Sequence, residues 1–309
     1  SILAGFVLLL IGGELLVRGA VRTASALGVS PLVIGLTLVG FGTSTPELVT
    51  SVRAAFAGSP GIAVGNVVGS NICNILLILG LAALIRPIAT TLASLKRDGL
   101  VLAAATVICV GVLLSGSAGR VVGLAFISML VGYIAWAYLS ERGTATPETE
   151  AFEMPERPAG ILFALSLAVS GIVLVILGAG WLVDGAVNLA ARMGISETVI
   201  GLTIVAVGTS LPDLVTSVMA ALRGQAGIAF GNVVGSNIYN IFGILGATAL
   251  VHPLEIPPSI AAFDGWVMLL VTAALILFAL TGARVTRREG AVLLLGYVGY
   301  SGWLAAGAL

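Results

Sequence analysis

Charge is what this chain has least of. Lys, Arg, Asp and Glu together make up 9% of its 309 residues, against about 25% in a soluble domain. Histidine occurs once, as His252 before Pro253. A zinc site needs more ligands than that, and a serine–histidine hydrolase would find its histidine badly placed. Cysteine occurs twice, as Cys73 and Cys109, both inside apolar stretches. They read as small buried hydrophobes and not as a disulfide framework or a metal cluster; for Cys73, which sits beside a polar run, a place near a site is the alternative. Strand-type alternation is absent, which argues against a β-barrel. These scarcities leave little for an enzyme, and none is expected; nor is a cofactor, a nucleic-acid partner or a protein partner.

What the chain has is length in apolar runs. Hydrophobic residues make up 59% of the sequence, with a mean hydropathy of +1.16. They fall in stretches near the ~20 residues that span a bilayer as a helix. Ten are read, roughly 2–20, 29–56, 62–84, 98–116, 119–140, 160–183, 195–221, 228–250, 261–281 and 289–307. The expected fold is an all-α polytopic membrane protein. The first stretch has no basic flank and no small-residue cleavage site, so it reads as a span and not as a signal peptide.

The chain is also duplicated. "VIGLTLVGFGTSTPELVTSV" (Val33 to Val52) returns as "VIGLTIVAVGTSLPDLVTSV" (Val199 to Val218), an offset of 199 − 33 = 166. "GIAVGNVVGSNICNILLILG" (Gly61 to Gly80) returns at the same offset as "GIAFGNVVGSNIYNIFGILG" (Gly227 to Gly246). Each copy holds five spans, and five is odd, so the second copy enters the membrane upside down. The organisation expected is a first five-helix repeat over 1–141, a linker over 142–159 and an inverted second repeat over 160–309. This is a plan of secondary transporters, whose sites lie at the midplane where helices are broken. With ten alternating spans, 11 of the 14 basic residues fall on one side, and only Arg53, Arg120 and Arg192 on the other. Basic residues stay in the cytoplasm. The linker is therefore expected in the cytoplasm and both termini outside, in a plasma (inner) membrane.

"GFGTSTPELVTS" (Gly40 to Ser51) places a helix breaker and a carboxylate side by side at mid-membrane depth. Pro46 takes the helical partner from the carbonyl of Gly42, four residues back, so helix 2 is expected to break there, and helix 7 at Pro212. Gly42 lets the backbone bend, Thr43 and Ser44 add hydroxyls, and Glu47 adds a charge. The second copy repeats this with Gly208, Thr209, Ser210, Pro212 and Asp213. Clustered oxygens suit hard cations such as Ca2+ and Na+, and an intramembrane carboxylate marks a functional site. In the following helix Asn66, Ser70 and Asn74 are four apart and share a face, as do Asn232, Ser236 and Asn240. Glu47 and Asp213 are the firmest candidates. Ser70, Asn74, Ser236 and Asn240, near the carboxylates in the expected fold, rank after them, and Asn66, Asn71, Asn232 and Asn237 come last, where the rival role of glue between helices weighs more. Gly65, Gly69, Gly231 and Gly235 form small-xxx-small pairs that allow close helix approach. Glu14 and Arg18, four apart, read as an ion pair.

"GTSTPELVTS" with "GNVVGSNICNI", and "GTSLPDLVTS" with "GNVVGSNIYNI", resemble the two repeats of the cation/calcium exchanger superfamily, above all its sodium/calcium exchanger branch in the minimal prokaryotic form. The resemblance covers nearly the whole chain. It implies ten helices, five plus five, and an electrogenic antiporter that exchanges Na+ for Ca2+ by alternating access, with the first and sixth helices sliding across a four-helix core. It implies that Glu47 and Asp213 bind Ca2+ and help bind Na+, that Ser44, Ser70, Ser210 and Ser236 are further ligands, and that backbone oxygens at Gly40, Thr43, Ala206 and Thr209 complete the sites. Asn74 and Asn240 match the family's deep polar positions. Some members carry Glu at the position of Asp213 and Asp at that of Asn240. A neutral Asn240 leaves two formal charges and implies exchange that does not need K+. The partners expected are Na+, Ca2+ and the lipid bilayer. The alternatives are an H+/Ca2+ or other divalent cation exchanger, against which the hydroxyls of G-T-S-x-P argue, and a passive cation channel.

Overall fold

Large apolar side chains cover the outside of this protein. Leu3, Val121 and Leu162 are 81%, 83% and 81% exposed, the reverse of a water-facing surface. The structure, a computed structural model, describes residues 2–141, 160–192 and 206–307. The helices are α1 (Ile2–Leu27), α2 (Pro31–Thr43), α3 (Thr45–Phe56), α4 (Pro60–Ile85), α5 (Leu92–Leu114) and α6 (Arg120–Glu141). Then follow α7 (Ile161–Arg192), α8 (Ala206–Thr209), α9 (Leu211–Leu222), α10 (Ala226–Val251), α11 (Ile260–Leu280) and α12 (Arg287–Gly307). Among the described residues seven helices are long and apolar enough to cross a membrane, or eight if the bent pair α2–α3 is one span. The chain is an integral membrane protein. Part of the stretch expected over 195–221, and the linker 142–159, lie outside the described residues.

The duplication is written into the element bounds. α3 and α9 begin at 45 and 211 and end at 56 and 222; α4 and α10 begin at 60 and 226 and end at 85 and 251. Every difference is 166. α4 and α10 are central: 72% and 83% of their most apolar 18 residues are buried, against 28% for α6 and α7. Glycine makes their surroundings tight. A Cβ at Gly231 would stand 2.5 Å from the carbonyl oxygen of Leu32, so α10 crosses α2 backbone to backbone. Gly65 and Gly69 show no such crossing among the described residues; a Cβ at Gly65 meets only Ile260, at 3.7 Å.

Two-residue strands tie the ends of α5 and α11. β1 (Ile88–Ala89) precedes α5 and β2 (Ser117–Ala118) follows it; β3 (Leu254–Glu255) precedes α11 and β4 (Arg284–Val285) follows it. β1 pairs with β4, and β2 with β3, both antiparallel. α5 and α11 therefore run head to tail, and Thr106 and its counterpart Thr272 meet midway at 3.4 Å. Each of these helices carries an acid that accepts from a tyrosine hydroxyl of the helix after it. Asp98 accepts from Tyr133 at 3.1 Å, and Asp264 from Tyr300 at 2.8 Å. Asp98 is fully buried and also takes two hydrogen bonds from Arg97, at 2.7 and 2.9 Å.

α1 and α7 pack along each other, also head to tail. A Cβ at Gly5 would lie 2.7 Å from Gly178 O, and one at Gly178 would lie 2.8 Å from Gly5 O. They share a small core of Leu9, Val175 and Ala179, separate from the main one. The expected Glu14–Arg18 ion pair forms, at 2.5 Å. Glu14 also accepts from Arg223, just past α9, at 2.6 Å, a contact that joins residues far apart in the chain.

Candidate cation-binding site

Two helix breaks face each other at the centre of the molecule. α2 ends and α3 begins at Ser44 (φ −86°, ψ 10°), with a 45° bend. α8 and α9 meet in the same way at Ser210 (φ −88°, ψ 4°). Pro46 and Pro212 occupy the first turn of the new helices, where a missing N–H costs nothing. The breaks expected from Pro46 and Pro212 are present: each proline opens the second helix, and the turn itself falls at Ser44 and at Ser210. Glu47 and Asp213 fall in the first turns of α3 and α9. The positive end of the helix dipole favours a carboxylate there, so each break supplies part of the charge compensation that the membrane withholds.

The two breaks interlock through their serines. Ser44 Oγ donates to Asp213 Oδ2 at 3.3 Å, and Ser210 Oγ donates to Glu47 Oε1 at 3.4 Å. Each break serine reaches the acid of the other half. Thr43 Oγ1 donates to Asp213 Oδ1 at 2.6 Å, and Ser236 Oγ donates to the same oxygen at 2.8 Å. Ser236 also lies 3.3 Å from the carbonyl oxygen of Gly40. Thr43, Ser44, Glu47, Ser210, Asp213 and Ser236 are all at most 3% exposed.

The polar row on α4 and α10 buttresses this pair. Asn66 Nδ2 donates to the Glu47 carbonyl at 3.1 Å and to Ser51 Oγ at 2.9 Å. Asn232 Nδ2 does the same to the Asp213 carbonyl, at 3.2 Å, and to Ser217 Oγ, at 2.9 Å. Asn66 and Asn232 thus brace the backbone of the acids. Ser51 and Ser217 are not among the candidates that the sequence singles out. Each follows an acid by four residues, which is the one signal that points to them. Ser70 is buried between Asn66 and Asn74, and its side chain makes no hydrogen bond among the described residues. At Asn74 and Asn240 the helices widen into π-turns, Asn74–Leu79 and Tyr239–Leu245, a distortion frequent at functional sites. Ala206 and Thr209 form the two ends of α8, and Gly40 is buried.

The unpaired atoms define the chemistry. Six buried side-chain nitrogens or oxygens lack a partner among the described residues, and three of them are Glu47 Oε2, Asn74 Oδ1 and Asn240 Oδ1. A buried orphan oxygen is costly unless something electropositive meets it. Two carboxylates and the hydroxyls of Thr43, Ser44, Ser210 and Ser236 make a donor set dominated by oxygen. That fits a hard cation, which takes about 6–8 oxygens when it is Ca2+, and not a soft one. No group of three or more His, Cys, Asp or Glu occurs among the described residues.

Known proteins resemble this chain over nearly its whole length. A family model described as sodium/calcium exchanger protein matches residues 1–139 and 163–305. The chain is 38% identical to the putative antiporter CaxA of Alkalimonas amylolytica, over 97% of this chain and 96% of that one. It is 36% identical to the sodium/calcium exchanger MaX1 of Methanosarcina acetivorans, again over 97% and 96%. The solved structure of the sodium-calcium exchanger NCX_Mj soaked with zero Na+ and Ca2+ matches with a TM-score of 0.86 and 34% identity, over 98% of this chain and 97% of that one. The chain belongs to the sodium/calcium exchanger protein family.

Proposed function

We propose that this protein is an antiporter that exchanges Na+ for Ca2+ by alternating access, electrogenically and without need of K+. The observation that carries the reading is the interlocked pair of breaks: one acid from each half, bound by the other half's serine, beside three unpaired buried oxygens. Glu47 and Asp213 are the charged ligands. Thr43, Ser44, Ser70, Asn74, Thr209, Ser210, Ser236 and Asn240, with backbone oxygens at Gly40 and Ala206, are the neutral ones. Two carboxylates balance one Ca2+. Na+ ions carrying more than two charges leave the site net positive, so exchange moves charge. Shared ligands forbid both cations at once. Bound cations offset the two negative charges, so the loaded site can switch, whereas the empty site, doubly negative, resists.

Ten spans in two inverted repeats fit this function. The head-to-tail runs of α1 with α7 and of α5 with α11 support the inversion, because each pairs a helix with its own repeat counterpart. The α1–α7 pair, with its separate small core, is the element we assign to sliding past the central helices. Both termini then face outward and the linker faces the cytoplasm.

Ca2+ uptake into sealed vesicles tests the proposal. An outward Na+ gradient should drive uptake, made faster by a membrane potential of the right sign. Uptake driven only by a pH gradient would make the protein an H+-coupled exchanger; uptake under voltage alone would make it a channel.

A further inference from the structure

The asparagines of α4 and α10 form two crossed pairs. Asn74 Nδ2 donates to Asn237 Oδ1 at 3.1 Å, and Asn240 Nδ2 donates to Asn71 Oδ1 at 3.2 Å. Asn71 and Asn237 are repeat counterparts, 237 − 71 = 166, as are Asn74 and Asn240. Each pair is therefore the image of the other. All four side chains are 1% exposed. Asn74 Oδ1 and Asn240 Oδ1 are the oxygens left unpaired.

A primary amide offers two donors on one end and an acceptor on the other. Left alone beside a cation site, it can turn either end inward. Anchoring the nitrogen to an acceptor on the opposite helix turns the oxygen away from the anchor, and removes the choice where the acceptor's own amide is fixed in turn. We propose that Asn71 and Asn237 are positioning residues: their carbonyl oxygens hold the amides of Asn240 and Asn74 so that those amides present oxygen, and not N–H, to the transported cation. This rests on the exchange reading above. It also gives each half a hold on the other half's ligand, since both bonds cross between α4 and α10.

The two holds are unequal. Asn71 Nδ2 itself donates to the thioether of Met268 at 3.5 Å. The counterpart of Met268 is Leu102, 268 − 102 = 166, which has no acceptor to offer. Asn237 Nδ2 is accordingly unpaired among the described residues. Asn71 is fastened on both sides and Asn237 on one, so Asn240 is held more firmly than Asn74.

The test uses the full chain purified in detergent and reconstituted in vesicles, as wild type, Asn71→Leu, Asn71→Ser, Asn237→Leu and Met268→Leu. Calorimetry reads the Kd for Ca2+, and vesicle uptake reads KM and kcat. Loss of one hydrogen bond that orients a ligand should weaken Ca2+ binding about fivefold to tenfold in the Asn71 variants, with KM raised more than kcat is lowered. Asn237→Leu should weaken it less. Met268→Leu conserves volume and should fold normally, with a rise of about twofold. Folded Asn71 variants with the wild-type Kd and KM would overturn the proposal, whatever their thermal stability; where Asn71→Leu fails to insert, Asn71→Ser decides. Failure of the exchange reading looks different: wild-type protein that binds Ca2+ but shows no Na+-driven uptake. The Kd comparison then still tests the amides.

Discussion

Glu47 and Asp213 occupy equivalent positions in two copies of one sequence, yet the protein treats them differently. Asp213 is within hydrogen-bond reach of three hydroxyls, those of Thr43, Ser44 and Ser236, at 2.6, 3.3 and 2.8 Å. Glu47 has one, from Ser210 at 3.4 Å, and its second oxygen has no partner among the described residues. The helices that carry them begin and end at equivalent residues, so the backbone frame is not the cause. The difference lies in side chains, in a carboxylate shorter by one methylene in the second half and in hydroxyls that turn toward it. Asp213 is solvated by the protein itself. Glu47 keeps an oxygen without a partner among the described residues. Duplication has preserved the backbone frame, while the two acids are held differently.

The strongest way to break this comparison is to neutralise each acid. Glu47→Gln and Asp213→Asn should each lower Na+-driven Ca2+ uptake by about 100-fold or more, equivalent to ~2.8 kcal/mol, while the protein still inserts and purifies as a folded species. Near-wild-type uptake by either variant removes that acid from the site. A smaller but sharper effect concerns stability without cations. Ser236→Ala deprives the Asp213 carboxylate of a donor, and a hydrogen bond to a charged group contributes about 1.5–3 kcal/mol. Ser70→Ala, the equivalent change in the first half, removes no such bond. Thermal unfolding in buffer free of Na+ and Ca2+ should show a drop for Ser236→Ala and little for Ser70→Ala; equal drops would mean that the asymmetry of the acids has no energetic content.

Next in size is the coupling ion. Asn240 is neutral and accounts for only one carbonyl oxygen. Replacing K+ by choline should leave wild-type uptake unchanged, whereas Asn240→Asp adds a third carboxylate that an ion or a proton must neutralise and should make uptake sensitive to K+ or pH. Wild-type uptake that collapses without K+ contradicts the role given to Asn240. The smallest effect is expected at Glu14, whose counterpart is Gly180. Its partners Arg18 and Arg223 are more than half exposed, and exposed ion pairs contribute only about 0.2–1 kcal/mol. Glu14→Gln should therefore shift unfolding by less than ~1 kcal/mol, and a larger loss would show that the contact from α1 to the end of α9 holds the fold more firmly than its exposure suggests.

Much of this site is legible in the amino-acid sequence. Acids, hydroxyls and the every-fourth-residue row of Asn66, Ser70 and Asn74 stand out because nothing polar belongs at such depth, and helical spacing says which of them share a face. Spacing is silent on what that face meets. The crossed pairs of Asn71 with Asn240 and of Asn74 with Asn237, the reach of Arg223 to Glu14 and the hydrogen bond from Tyr133 to Asp98 all join residues far apart in the chain. Only packing reveals them. Ser51 and Ser217 escape notice for a simpler reason: a serine one turn beyond an acid reads as an ordinary small residue until an asparagine is found bonded to it. The breaks are legible in Pro46 and Pro212, whereas the residues at which the helices turn, Ser44 and Ser210, are fixed only by packing.

The central claim is that one cation is shared by the acids of both halves. Calorimetric titration of Ca2+ into the purified wild-type protein, repeated at rising Na+ concentration and with Glu47→Gln and Asp213→Asn, tests it most directly. One Ca2+ per chain should bind, Na+ should displace it competitively, and either substitution alone should abolish binding. Two Ca2+ per chain, with each substitution removing one and leaving the other, would contradict the account.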